Sequence, residues 1–340
     1  MHMISTSRTV PSDPSRAELI NRILTRLLGF LFPRDDGRWL SILRIGLGMQ
    51  VVLYTLSLAG DWHLLLGDTT DGLVGRAFPE ALLWRESPLI PTMGWLIWVG
   101  ARVGLSEWNV LSMAWALLLV AGFGLIGGVF SRASAILAWV VHLCVANSGD
   151  LLSYGVDSFM TIGLFYLMLA PLPDNLAIER RWRGRQDRQF LGFWRRVLQV
   201  HLCFIYFFGG LSKALGAGWW NGTNLWRILT RSPFNLIPPE TLIGWKYVFP
   251  AAGIAVVLLE LGYPFGIWPN GSRGIWLIGI MLLHLGIALF MGMYLFSMIM
   301  IVLNAAAFAP EIIWAGKSKR AASTFPGGVS GKPSSADRDV

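Results

Sequence analysis

A few ionisable side chains lie inside or at the ends of long apolar runs, where each costs free energy unless it is paired or used. Lys213 is the most exposed to this argument. It closes the run from Arg195 to Gly222, RRVLQVHLCFIYFFGGLSKALGAGWWNG, just after Gly209 and Gly210 and just before a corner at Trp219 and Trp220. A lysine so placed either snorkels to the headgroups or is held for chemistry. Desolvation disfavours its charged form and would make it a usable base near neutral pH. Asp157 opens an apolar run after SYG and falls at the same outer boundary. It reads either as a plain ion-pair partner of Lys213, opposing the base role by favouring the ammonium, or as a separate group that leaves the lysine tuned. A deeper layer holds Glu260, roughly 12 Å from the inner end of its helix, with His284 and His142 roughly 13 to 15 Å from theirs. Glu260 and His284 lie on consecutive antiparallel helices and are expected to hydrogen-bond, either as a polar clasp between helices or as a proton relay or ligand contact. His142 and the shallower His201, taken singly, read as satisfied core histidines ahead of functional groups. No H-x-x-x-H or E-x-x-H spacing points to a metal.

The elements that must position these groups are membrane helices. The 340 residues are 54% hydrophobic and only 14% charged, where a soluble domain would carry about a quarter charged residues. The net charge of +8 sits in flanks between apolar runs, which reads as topology control and contact with anionic membrane lipids and excludes a nucleic-acid face. Cys144 and Cys203 lie in apolar runs without a CxxC partner and are expected to be free, buried thiols.

The expected fold is all-α, a polytopic transmembrane bundle of about eight spanning helices plus interfacial ones. Residues 1–34 form a tail with a basic amphipathic helix: Ser15 and Glu18 make a capping box, and Leu19, Ile20, Ile23, Leu24, Leu27 and Leu28 face away from Arg16, Arg22 and Arg26. Such a helix lies in the interface plane. No cleaved signal peptide is expected, since no secretory h-region opens the chain. Residues 35–315 form the membrane domain, with spans at Trp39 to Leu58, Val110 to Val129, Ala133 to Asn147, Val156 to Leu172, Trp194 to Gly210, Val248 to Trp268, Ile275 to Met291 and Tyr294 to Trp314. Leu89 to Val103, interrupted by Pro91, Gly94 and Gly100, reads as interfacial or re-entrant. With both termini cytoplasmic, Arg132, the loop from Asp174 to Arg196, Arg273 and Lys317 all fall inside. The acidic segment containing Asp61, Asp68 and Asp71 and the NSGD turn fall outside, so the positive-inside rule holds at every short loop. Residues 316–340, rich in Ser, Gly, Pro and Lys, read as a disordered basic tail. The external segment from Ala214 to Tyr247 carries Trp219, Trp220, Trp226 and Trp245 with Arg227, Arg231 and Lys246, suits the headgroup region, and roofs either a cavity or a solid plug above Lys213.

The stretch IYFFGGLSKALGAGWWNG, together with YGVDSFMTIGLFYLMLAPLP, LLELGYPFGIW and HLGIALFMGMYLFSMIMIVLN, resembles the vitamin K-dependent gamma-carboxylase family and its bacterial relatives, the horizontally transferred transmembrane (HTTM) domain proteins. The resemblance runs from the third span to the last. It implies that Lys213 occupies the place of the base that starts oxygenation of a vitamin K hydroquinone, a reduced quinone cofactor, coupled to glutamate carboxylation on the non-cytoplasmic side. Asp157 stands where the carboxylase has a histidine, and no large C-terminal extramembrane region follows the last helix, so carboxylation of the animal type is not expected. Two classes stay open. One is a carboxylase-like membrane enzyme acting on a quinone or other isoprenoid lipid, with Lys213 and Asp157 catalytic and His142, Glu260, His284, Trp219 and Trp220 binding ligand or relaying protons. The other is a non-catalytic lipid-binding, transport or assembly protein; no internal inverted repeat favours a transporter. No protein partner can be read from the residues.

Overall fold

The computed structural model describes residues 16–68, 75–149, 153–182 and 188–323, and among them there are α-helices, one short 3-10 turn and no strand. The chain is an all-α, polytopic helical bundle of the membrane type. Ser15, Asp71, the last residue of the NSGD turn, residues 183–187 of the loop from Asp174 to Arg196 and the segment 324–340 lie outside the described residues.

Among the described residues, six helices are long and apolar enough to cross a bilayer: α2 (Arg38–Ser57), α6 (Glu107–Gly127), the Phe190–Ala214 part of α9 (Arg188–Ala214), α13 (Val248–Gly266), α14 (Arg273–Met291) and the Tyr294–Ile313 part of α15 (Tyr294–Ser323). The other two expected spans are helices packed in the same bundle. α7 (Ser131–Ser148) has 18 residues but carries Arg132, His142 and Asn147, and α8 (Gly155–Leu169) has only 15. The run at Leu89 folds as α5 (Met93–Arg102), ten residues, or about 15 Å, half of the hydrocarbon thickness. α15 continues through Ser323, beyond the boundary at residue 316 expected for the tail.

Burial follows the apolar periodicity of each helix. α2 is central, packed against α6, α8 and α15, with 67% of its apolar window buried, against 17% for α14 at the edge. On α14, Ile275, Ile278, Leu282, Leu285 and Leu289 are exposed while Leu277, Ile280, His284 and Ala288 are buried. The outer stripe repeats at three and four residues, the spacing of one helix face, and an apolar face so exposed suits lipid. Helix ends are closed locally. Ser106 accepts from the Asn109 amide ahead of α6, and Gly128 and Gly292 end α6 and α14 in the left-handed conformation.

One end of the bundle is tied by charge. Arg44, fully buried on α2, pairs with Asp174 and donates to the carbonyl oxygens of Leu125 and Ile126 at the end of α6. Arg195 on α9 pairs with Asp35 at 2.8 Å and with Glu311 of α15 at 3.0 Å, and Glu311 also pairs with Arg273 of α14. α1 (Arg16–Leu31) docks on this arginine end through Phe30 against Trp268, with Phe32 just beyond it stacked on Phe193, and leaves Ile23, Leu24 and Leu27 about half exposed. At the opposite end, α3 (Trp62–Leu66), α4 (Ala77–Glu86), α5, α10 (Ala217–Trp220), α11 (Thr223–Thr230) and α12 (Pro239–Ile243) are short, as expected of interfacial pieces.

Candidate functional site

The inward face of α9 runs through Leu202, Tyr206, Gly210 and Lys213, at spacings of four, four and three residues. It packs against the face of α13 that carries Gly253, Val257, Glu260 and Tyr263. Gly210 sets how near the two helices come: a Cβ there would stand 2.7 Å from the Leu261 amide nitrogen and 3.0 Å from Glu260 Cβ. At this junction Lys213 Nζ donates to Glu260 Oε2 at 2.6 Å and lies 3.5 Å from the Gly209 carbonyl oxygen. The lysine side chain is 26% exposed and the glutamate 10%. The Trp219 ring of α10 covers the ammonium at 5.5 Å, and Trp220, half exposed, donates from Nε1 to the Ala214 carbonyl oxygen at 2.7 Å.

Lys213 therefore pairs with Glu260, not with Asp157, and Glu260 pairs with Lys213, not with His284. Depth counted along each helix put the lysine at the rim and the glutamate well below it. Helical side chains tilt toward their own N-terminus, and α9 and α13 are antiparallel, so the Lys213 stem reaches down while the Glu260 carboxylate reaches up. The two meet between the layers.

Beneath the pair runs a buried chain of hydrogen bonds. Tyr263 OH donates to Asn304 Oδ1 at 2.7 Å, Asn304 Nδ2 donates to Tyr206 OH at 2.7 Å and to the Met300 carbonyl oxygen at 2.8 Å, and Tyr206 OH lies 2.8 Å from His284 Nε2. Four helices, α9, α13, α14 and α15, each supply one member. Tyr206, Tyr263 and Asn304 escaped the reading of the sequence. Tyr206 sits seven residues before Lys213 on the same face, and Asn304 is an amide within an apolar span, the two signals that could have found them.

Asp157 belongs to a second cluster on the other side of the bundle. Its Oδ1 accepts from Tyr54 OH at 2.8 Å, and its Oδ2 accepts from the Tyr154 amide at 3.0 Å, capping α8. His142, fully buried on α7, places Nε2 at 3.2 Å from the Asp157 carbonyl oxygen and presents its ring edge-on to Tyr54. A cavity of about 80 Å³ lined by Tyr54, Trp62, Tyr154 and Asp157 adjoins it, large enough for ordered water. Phe296 stands between the two clusters, against His284 at 5.8 Å and Phe159 of α8 at 5.9 Å. His201 is bonded to Tyr166 OH at 2.7 Å and joins neither. Cys144 and Cys203 are buried free thiols, and among the described residues no group of three His, Cys, Asp or Glu side chains is placed to hold a metal ion.

The first cluster can exchange protons. A carboxylate and an amine at 2.6 Å can share a proton, and low surrounding polarity narrows the gap between the ion pair and the neutral pair, because burial penalises both charges. No family model, no curated protein and no solved structure matches this chain.

Proposed function

We propose that this protein is a membrane enzyme of the gamma-carboxylase-like, HTTM type, acting on a quinone or another isoprenoid lipid through the Lys213–Glu260 couple. The observation that carries the reading is the 2.6 Å bond between a partly exposed lysine and a buried glutamate, at the head of a face that also carries Tyr206. The proton balance is simple. Transfer from the Lys213 ammonium to the Glu260 carboxylate leaves a neutral amine and a carboxylic acid. The amine then takes the proton of a lipid-borne hydroxyl, yielding the oxyanion beside a restored ammonium that stabilises it. Lys213 is the base in this scheme and Glu260 its proton store. Trp219 and Trp220 roof the couple, and His284 and Tyr206 line its deeper side. Asp157 and His142 form a separate polar group that serves the same membrane domain from the α7–α8 side. With the arginine end cytoplasmic, as the positive-inside rule directs, both termini are cytoplasmic and Lys213 is reached from the non-cytoplasmic side of a cell membrane.

A second reading has its own observation. Gly209 and Gly210 let α9 and α13 pack closely around the same pair, which is how small residues and polar contacts fasten membrane helices; the protein would then be a non-catalytic lipid-binding, transport or assembly component. The deciding experiment is purification in mild detergent with mass spectrometry of co-purified lipids, followed by assay of the retained lipid with Lys213→Arg. A retained quinone or isoprenoid, converted by the wild type and not by an intact Lys213→Arg variant, supports the enzyme. Turnover unchanged by Lys213→Arg refutes it.

A further inference from the structure

We infer that His284 is a binding group for a carbonyl oxygen of a lipid-soluble molecule, recognised through its Nδ1–H. The inference rests on the proposed function only in placing a ligand beside Lys213. The direction of every hydrogen bond beneath the Lys213–Glu260 pair follows from the heavy atoms. Asn304 approaches the Met300 carbonyl oxygen at 2.8 Å through Nδ2, a contact that its amide oxygen could not make, so the amide orientation is fixed. Its Oδ1 accepts from Tyr263, and its second Nδ2 proton goes to the Tyr206 oxygen. The Tyr206 hydroxyl proton then has one remaining polar neighbour among the described residues, His284 Nε2 at 2.8 Å. Nε2 is the acceptor, and a neutral imidazole must carry its proton on Nδ1.

That nitrogen is buried and has no hydrogen-bond partner among the described residues, in a histidine only 3% exposed. Orphaned buried N–H donors are rare because the lost hydration is not replaced. Protonating both nitrogens would give no relief, since it adds a second cation near Lys213 and sets two donors against one another at Tyr206. A carbonyl oxygen answers the need: it only accepts, it is uncharged, and it enters an apolar bundle without the desolvation that a carboxylate or phosphate would suffer. His142 shows the contrast. Its Nε2 faces the Asp157 carbonyl oxygen and must donate, so its unpartnered Nδ1 is a lone pair and asks for no such ligand.

The test pairs a spectroscopic readout with a binding one. Protein labelled with 15N-histidine is reconstituted in phosphatidylcholine vesicles, and the five histidines are examined by solid-state NMR, with His284→Asn assigning the signal. The expected result is an Nδ1–H tautomer at His284 whose Nδ1 resonance shifts on addition of decylubiquinone, a probe with ring carbonyls. Decylubiquinone binding, read by tryptophan quenching, should weaken about 10-fold, or 1.4 kcal/mol, in His284→Phe and recover in part in His284→Asn, whose amide restores a donor. Tyr206→Phe should release the tautomer and give an intermediate loss. Exchanging ester-linked for ether-linked phosphatidylcholine separates two sources of the same group: a shift of the Nδ1 signal on that exchange assigns the carbonyl to a phospholipid, and a shift on decylubiquinone alone assigns it to a quinone. An Nε2–H tautomer, or a signal indifferent to both carbonyl sources, overturns the inference, the latter being the outcome if water alone occupies the site. Binding is measured without turnover, so Lys213→Arg can leave catalysis unchanged and refute the enzyme while the His284 result stands.

Discussion

Neutralising Glu260 tests the pairing at the centre of the molecule. In the folded protein Glu260→Gln keeps the shape and one acceptor but strands the Lys213 ammonium. Breaking one side of a fully buried pair costs about 3–5 kcal/mol, because the other charge is left desolvated and alone. Here the lysine side chain is 26% exposed and the glutamate 10%, and a four-carbon stem can swing its head toward the boundary. That escape lowers the expected cost to about 1–3 kcal/mol. Lys213→Met should cost a similar amount, since it leaves a carboxylate in an apolar site that can protonate. The double variant strands no charge, so the two single losses should exceed the double loss by about 1–2 kcal/mol. Equilibrium unfolding in mixed micelles of a mild detergent and dodecyl sulfate, followed by the intrinsic fluorescence of the 17 tryptophans, gives all four corners of the cycle. Losses that add to within about 0.5 kcal/mol would refute the contact and leave the α9–α13 junction held by packing alone.

Two further outcomes concern the arginine end. Asp174→Ala leaves the fully buried Arg44 without its counter-charge and should lower stability by about 3–5 kcal/mol, whereas Asp36→Ala, which loosens an ion pair whose side chains are 42% and 52% exposed, should change it by less than about 1 kcal/mol; the same unfolding assay measures both. Burial raises Asp35 above the ordinary carboxylate range, with the Arg195 guanidinium opposing. The folded state therefore holds that proton more tightly than the unfolded one, so this group's contribution is most favourable below about pH 3.9 and is lost as pH rises through the raised folded value. Asp35→Asn should remove that slope, seen as a flatter thermal midpoint between pH 4 and 7, and a slope equal to that of the wild type would contradict the assignment.

Much of the fold was legible because lipid imposes one rule on every span: apolar outward, backbone bonded within the helix. The runs at 38–57, 107–127 and 248–291 announce themselves by length, and the three-and-four spacing of Ile275, Ile278 and Leu282 already marks the lipid face of α14. Lys213, Glu260 and His284 were also visible, as costly residues in apolar surroundings. α7 and α8 were read as spans too, and the structure keeps both as helices of the bundle, but the polar residues of the first and the 15 residues of the second make them marginal by length and composition.

Sequence by itself determined that this chain is a helical membrane protein and which polar groups must find partners inside it. Only the tertiary structure decided who those partners are. The rise per residue gives depth along one helix, but contact depends on the tilt, rotation and closeness of two. Gly210 brings α13 against α9, opposed side-chain tilt joins Lys213 to Glu260 across the expected layers, and Asn304, by turning its amide toward Met300, fixes the direction of a proton chain that ends on His284.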